Sequence, residues 1–201
     1  MAHTNPWVTS KDTESTGEGS PTAALAPDPG PVAHPTGPCA PQPGIAAPAV
    51  RLPRRTVPGP APMWWLGVHG GAGERTMAAL IQGTRTVGHA WPVVATPNTP
   101  APRVVLVART HARGLLCLQA AATEWASGQA GVDLLGAVLI ADAPGRLPRP
   151  LRDLMSLVSG GLPRTWHVPW MESWRRGEAV TATEAPRAVR ALITEISDLL
   201  K

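Results

Sequence analysis

The sequence predicts an α/β domain in which a parallel sheet carries helices on both faces, preceded by a disordered tail. Three observations predict it. Short, largely β-branched apolar runs alternate with amphipathic stretches of helical spacing. The two strongest runs, "VVLVA" at 104–108 and "LLGAVLIA" at 134–141, are continuously apolar, as strands covered on both faces must be. Proline is distributed unevenly: residues 1–62 hold 14 of the 24, with few large apolar side chains to offset the entropy of ordering. The chain therefore divides into a proline-rich tail over 1–62, a spacer or docking tether, and a folded domain over 63–201.

Within the domain, "WWLGV" at 64–68 suits a buried strand, and the glycines after it turn the chain into a helix on which Met77, Leu80, Ile81 and Thr84 follow one face. A short strand and a proline-laden loop follow in "AWPVVATPNTPAPR". After "VVLVA", Leu115, Leu118, Ala122 and Trp125 repeat at helical intervals. Beyond "LLGAVLIA", Leu151, Leu154, Met155 and Val158 predict a short helix stopped by Gly160 and Gly161. "TWHV" is the last strand. A closing helix places Pro186 in its first turn and lines one face with Val189, Leu192, Ile193, Ile196, Leu199 and Leu200. Ligands of such sheets sit beyond the carboxyl ends of the strands, where the glycine loop, "RTHARG" and "DAPGRLP" all fall.

The glycine loop carries the clearest chemical signal. Gly70, Gly71 and Gly73 ahead of a helix can turn backbone N–H groups toward an anion. A phosphate loop normally adds a lysine and a Ser/Thr hydroxyl for magnesium. The lysine is missing, and no residue from 63 to 200 is a lysine. In its place stands Glu74, a carboxylate that answers the helix dipole but repels phosphate. Arg75 and Thr76 supply a charge and a hydroxyl only if the loop is rearranged by one residue, since each step turns a side chain by about 100° round the helix. The expected nucleotide-binding set is Gly70, Gly71, Ala72, Gly73, Glu74, Arg75 and Thr76, for ATP or GTP with magnesium. No catalytic residue is assigned. In a loop of intact geometry, Glu74→Lys should raise nucleotide affinity. The alternative is a glycine turn kept for packing.

Other chemistries find less support. "GAGERT" lacks the third glycine of a dinucleotide loop, and a short-chain dehydrogenase would need a tyrosine that the chain does not contain. His69, His89, His111 and His167 show no metal-ligand spacing, and no elbow motif surrounds Ser156 or Ser159. Two cysteines, Cys39 and Cys117, make no disulfide framework, and with no signal segment or apolar run of membrane length the expectation is a cytoplasmic protein. The domain holds 14 basic against 10 acidic residues, 13 of the basic ones arginine. Arg146, Arg149 and Arg152 form one basic stretch, and Arg164, Arg175 and Arg176 a second, suited to phosphates or simply to a solvated rim. Trp166, Trp170 and Trp174 recur at fours and are expected in a core or interface, because the chain has no Phe or Tyr.

In order, these pieces resemble the MinD/ParA-type P-loop ATPases, whose loop reads K-G-G-x-G-K-[ST]-T. Here it stands as His69, Gly70, Gly71, Ala72, Gly73, Glu74, Arg75 and Thr76: the glycines and final threonine match, and both lysines and the magnesium-binding Ser/Thr are replaced. "GAVLIADAPG" and "TWHVPWMESWRRGEAV" look like later segments of the same family, and the composition and "ADAPGRLP" are similar to actinobacterial proteins with a proline-rich tail and the same altered loop. The resemblance implies a three-layer P-loop NTPase-like fold. The family's magnesium-linked Asp should fall before "VVLVA", where the chain has no carboxylate. Asp142 stands in for it one strand late, with Arg109 also on the ligand side. The resemblance implies a pseudo-ATPase that binds nucleotide weakly and serves as an accessory or regulatory partner in DNA partitioning, transfer or secretion, with an unidentified protein partner and room for a homodimer. The alternatives are a non-enzymatic interaction scaffold and, lower, a nonspecific DNA-binding protein using the arginine rim.

Overall fold

The computed structural model describes residues 37–178 and 181–201. Residues 1–36 of the expected tail lie outside the described residues. Five strands make the main sheet: β2 (Trp64–Gly67), β3 (Arg85–Gly88), β5 (Arg103–Arg109), β6 (Asp133–Ile140) and β7 (Thr165–Val168). All neighbours are parallel and the order is β3-β2-β5-β6-β7. A second, two-stranded parallel sheet pairs β1 (Arg54–Val57) with β4 (Trp91–Val94). Among the described residues five helices complete the fold: α1 (Glu74–Leu80), α2 (Ala112–Ala126), α3 (Arg149–Ser159), α4 (Glu172–Arg175) and α5 (Arg187–Leu199).

The period-2 alternation of strand side chains sorts the core into two halves. Trp64, Leu66, Val104 and Leu106 face Leu115, Leu118 and Trp125 of α2 and Val158 of α3. The residues between them, Trp65, Val105 and Val107, face Met77 and Leu80 of α1 and Val189, Leu192 and Ile196 of α5. The sheet is thus wrapped on both sides, as expected. Burying each of these large side chains contributes about 1.5–3 kcal/mol, so the interior of β2, β5 and β6 is what fixes the fold. No helix among the described residues is long and apolar enough to cross a membrane.

Three details differ from the expected layout. Arg54–Val57, inside the stretch assigned to the tail, is a strand, so ordered chain begins ahead of residue 63. It is held by contacts that composition does not reveal. Trp91 N–H donates to the Pro53 carbonyl at 2.8 Å, and Leu52 N–H donates to the fully buried Glu124 carboxylate at 3.0 Å. The Arg54 guanidinium reaches the other oxygen of Glu124 at 3.5 Å. Secondly, the strand expected in "AWPVVATPNTPAPR" forms, but beside β1 rather than in the main sheet. Thirdly, the main sheet gains β3 at its edge, where only Val87 of "RTVG" is buried. An edge strand needs no apolar run.

Candidate functional site

The two neighbouring central strands, β2 and β5, send their following helices to opposite faces of the sheet. Beyond their carboxyl ends this leaves a crevice, the place where open parallel sheets bind ligands. A cleft of about 470 Å³ lies there. The loop after β2 lines it with His69, Gly70 and Gly71, the end of β5 with Arg109 and His111, and the end of β6 with Asp142. The segment after β7 closes it with Trp170, Met171, Trp174 and Arg175.

His69 joins these walls. Its Nε2 accepts a hydrogen bond from the Arg109 backbone N–H at 3.0 Å, and its Nδ1 lies 2.9 Å from the Gly70 carbonyl oxygen. A ring nitrogen that accepts from an amide carries no proton, so the proton sits on Nδ1 and is donated to Gly70. The ring packs over the start of α2 so closely that a Cβ at Gly114 would lie 2.9 Å from Nε2. Burial holds the His69 imidazole below the usual histidine range. The bond to the Gly70 carbonyl opposes that shift, and the neighbouring His111, His89 and Arg109 reinforce it.

His111 is the N-cap of α2: its Nδ1 accepts from Gly114 N–H at 2.9 Å, and its ring centroid is 4.9 Å from that of His69. The Arg109 guanidinium donates to the Ala141 carbonyl at 3.0 Å, tying the end of β5 to that of β6. Thr110, almost fully buried, accepts from Asp142 N–H at 3.2 Å and fixes where that carboxylate leaves the sheet. Across the cleft the Arg175 guanidinium stands 5.8 Å from the Trp170 ring centroid.

Of the residues expected to form the site, the cleft brings together Gly70, Gly71, Arg109 and Asp142. Ala72 is fully buried, and Gly73 caps α1 at φ 104. Arg75 and Thr76 follow on α1 and do not line the cleft. Glu74 turns inward with 8% of its surface exposed. Its carboxylate lies against the end of β2, where a Cβ at Gly67 would be 2.6 Å from Oε2 and 3.1 Å from His89 Nδ1. Sequence reasoning missed His111, Trp170, Met171, Trp174 and Arg175 as walls of one cavity. The available signal was positional, since "THARG" and "PWMESWRR" both follow predicted strands. Among the described residues no three His, Cys, Asp or Glu converge as a metal site.

A doubly wound parallel α/β domain with its cleft at the switch point is the class that the fold and site define. Residues 61–193, about two thirds of the chain, match a family of unknown function (DUF6668), and the chain belongs to that family. No curated protein and no solved structure matches the chain.

Proposed function

We propose that the cleft binds a nucleotide weakly without hydrolysing it, and that the chain acts as a MinD/ParA-like accessory domain rather than an ATPase. The observation that carries this reading is the convergence of two guanidinium groups, Arg109 and Arg175, with the Gly70–Gly71 backbone and the Trp170 and Trp174 side chains on one cavity at the switch point. Guanidinium forks take phosphate oxygens, and aromatic surface takes a base. The cavity is within the range of small-ligand pockets.

The glycine loop itself is poorly equipped for turnover. Phosphoryl transfer depends on a cation and a metal positioned at the transferred group. The loop offers no lysine, and its own carboxylate, Glu74, is tucked beneath it. Among the described residues, Asp142 is the one carboxylate on the cavity wall.

Titration of the full chain with ATP and GTP, with and without magnesium, tests the reading. Saturable quenching of tryptophan emission in the high-micromolar to millimolar range is expected, without release of inorganic phosphate. Arg109→Ala and Arg175→Ala should each weaken binding roughly 10–100-fold, the worth of one charge-assisted contact. No saturable response to millimolar nucleotide would sink it and leave the interaction scaffold as the better account.

A further inference from the structure

We infer that His69 is a proton-operated strut: in its neutral form it holds the Gly70–Gly71 loop against the end of β5, and taking up a proton at Nε2 releases that loop and reshapes the cleft. The inference concerns the free protein and needs no ligand.

It rests on the geometry of two bonds made by one ring. Nε2 is an acceptor for the Arg109 N–H at 3.0 Å, while Nδ1 faces the Gly70 carbonyl at 2.9 Å. The ring thus requires one particular tautomer, protonated at Nδ1. A proton arriving from solvent has only the Nε2 lone pair to occupy. Once it is there, two N–H groups point at each other, and the Arg109 amide loses its acceptor. The strut cannot stay in place and be charged.

The surroundings make that change expensive rather than neutral. Arg109 and His111 stand on the β5–α2 side, His111 with its ring centroid 4.9 Å away. His89, from the turn between β3 and β4, adds to the same unfavourable field. Arg175 from α4 lines the same cleft. Of the carboxylates, Asp142 at the end of β6 lies on the cleft, and Glu74 of α1 is turned down against Gly67. A charged ring has no room to slide toward α2, because the Gly114 backbone lies directly beneath it. The remaining freedom belongs to the loop itself, whose Gly70 and Gly71 are exposed.

Side-chain nitrogen NMR on the isotope-labelled full chain, with amide exchange at Arg109, tests this. At about pH 8, well above the ordinary histidine range, His69 should carry its proton on Nδ1, and the Arg109 amide should be protected. On acidification the amide signals of Gly70, Gly71 and Arg109 should shift along the His69 titration, and Arg109 exchange, corrected for its intrinsic pH dependence, should accelerate about tenfold, the scale of one lost hydrogen bond. His69→Gln presents an amide oxygen where Nε2 lay and cannot titrate. It should keep Arg109 protected and abolish the pH-linked shifts. His69→Leu should lose protection at every pH. A proton on Nε2 at pH 8, loop amides that ignore the titration, or unchanged pH-linked shifts in His69→Gln would each overturn the inference. The first two are read on the unmutated chain, so they decide the matter even if His69→Leu does not fold.

Discussion

A carboxylate at the head of α1 can point up into the loop or down against the strand that feeds it. Glu74 points down, because Gly67 leaves no Cβ in its way. Its effect on a ligand is therefore less direct than the loop sequence implies. Glu74→Lys would drive an ammonium into that covered space. The expected outcome is a stability loss of about 1–3 kcal/mol with no gain in nucleotide affinity, read from thermal melts and titration. Gly114 is the more demanding glycine. An added Cβ would lie 2.2 Å from the Arg109 carbonyl oxygen, a backbone atom that cannot rotate aside, whereas at Gly67 the obstacle is the far end of a side chain. Gly114→Ala should therefore cost about 2–3 kcal/mol, and Gly67→Ala less. A reversed order in thermal melts would refute the close approach of α2 to the end of β5. At this scale the sequence disclosed residue types but not directions. Glu74 was legible as an anomaly, while nothing in "GERT" says which way its carboxylate turns.

Among the elements, those whose apolar residues repeat over a long stretch were the ones legible in advance. β5 and β6 are read directly from unbroken apolar runs, and α2 and α5 from their periodic faces. β1 and β3 were not, because each buries one side chain and otherwise faces solvent. What orders β1 lies elsewhere in the chain. Glu124 contributes both carboxylate oxygens, to Leu52 N–H and to Arg54, from a helix position that reads as unremarkable. Glu124→Ala should cost about 1–3 kcal/mol, since it strands a part-buried amide and releases a half-exposed arginine. Glu124→Gln should retain part of that through its remaining acceptor. A chain beginning at Met63 should melt lower than the full chain, because Trp91, fully buried, would lose its cover and β4 its partner strand. Equal melting temperatures would mean that β1 is dispensable.

For the whole molecule, the three-layer wrapping followed from the alternation of runs, but the composition of the cleft did not. Asp142, Arg109 and the glycines fall where strand ends were expected. Trp170, Met171, Trp174 and Arg175 come from a segment about a hundred residues from the loop, and only the strand order brings them opposite it. A global pH effect follows as well. The native fold holds His69 below the ordinary histidine value of 6.5, so the unfolded chain binds the proton more readily. Stability is then complete above that value and declines as pH falls through 6.5 toward the lower folded value. Melting temperatures of His69→Gln should decline less over that range, and a parallel decline would assign the effect to other groups.

The anchoring of β1 has a mechanical corollary. Gln42 N–H donates to the Ala126 carbonyl at 2.8 Å, and Leu52 and Arg54 grip Glu124, so the incoming chain is fastened to the last turn of α2. The first turn of that same helix, some 20 Å away at 1.5 Å per residue, sits under His69 and walls the cleft. A single stiff helix therefore joins the anchored amino-terminal segment at one end to the cleft wall at the other, where its N-cap His111 stands.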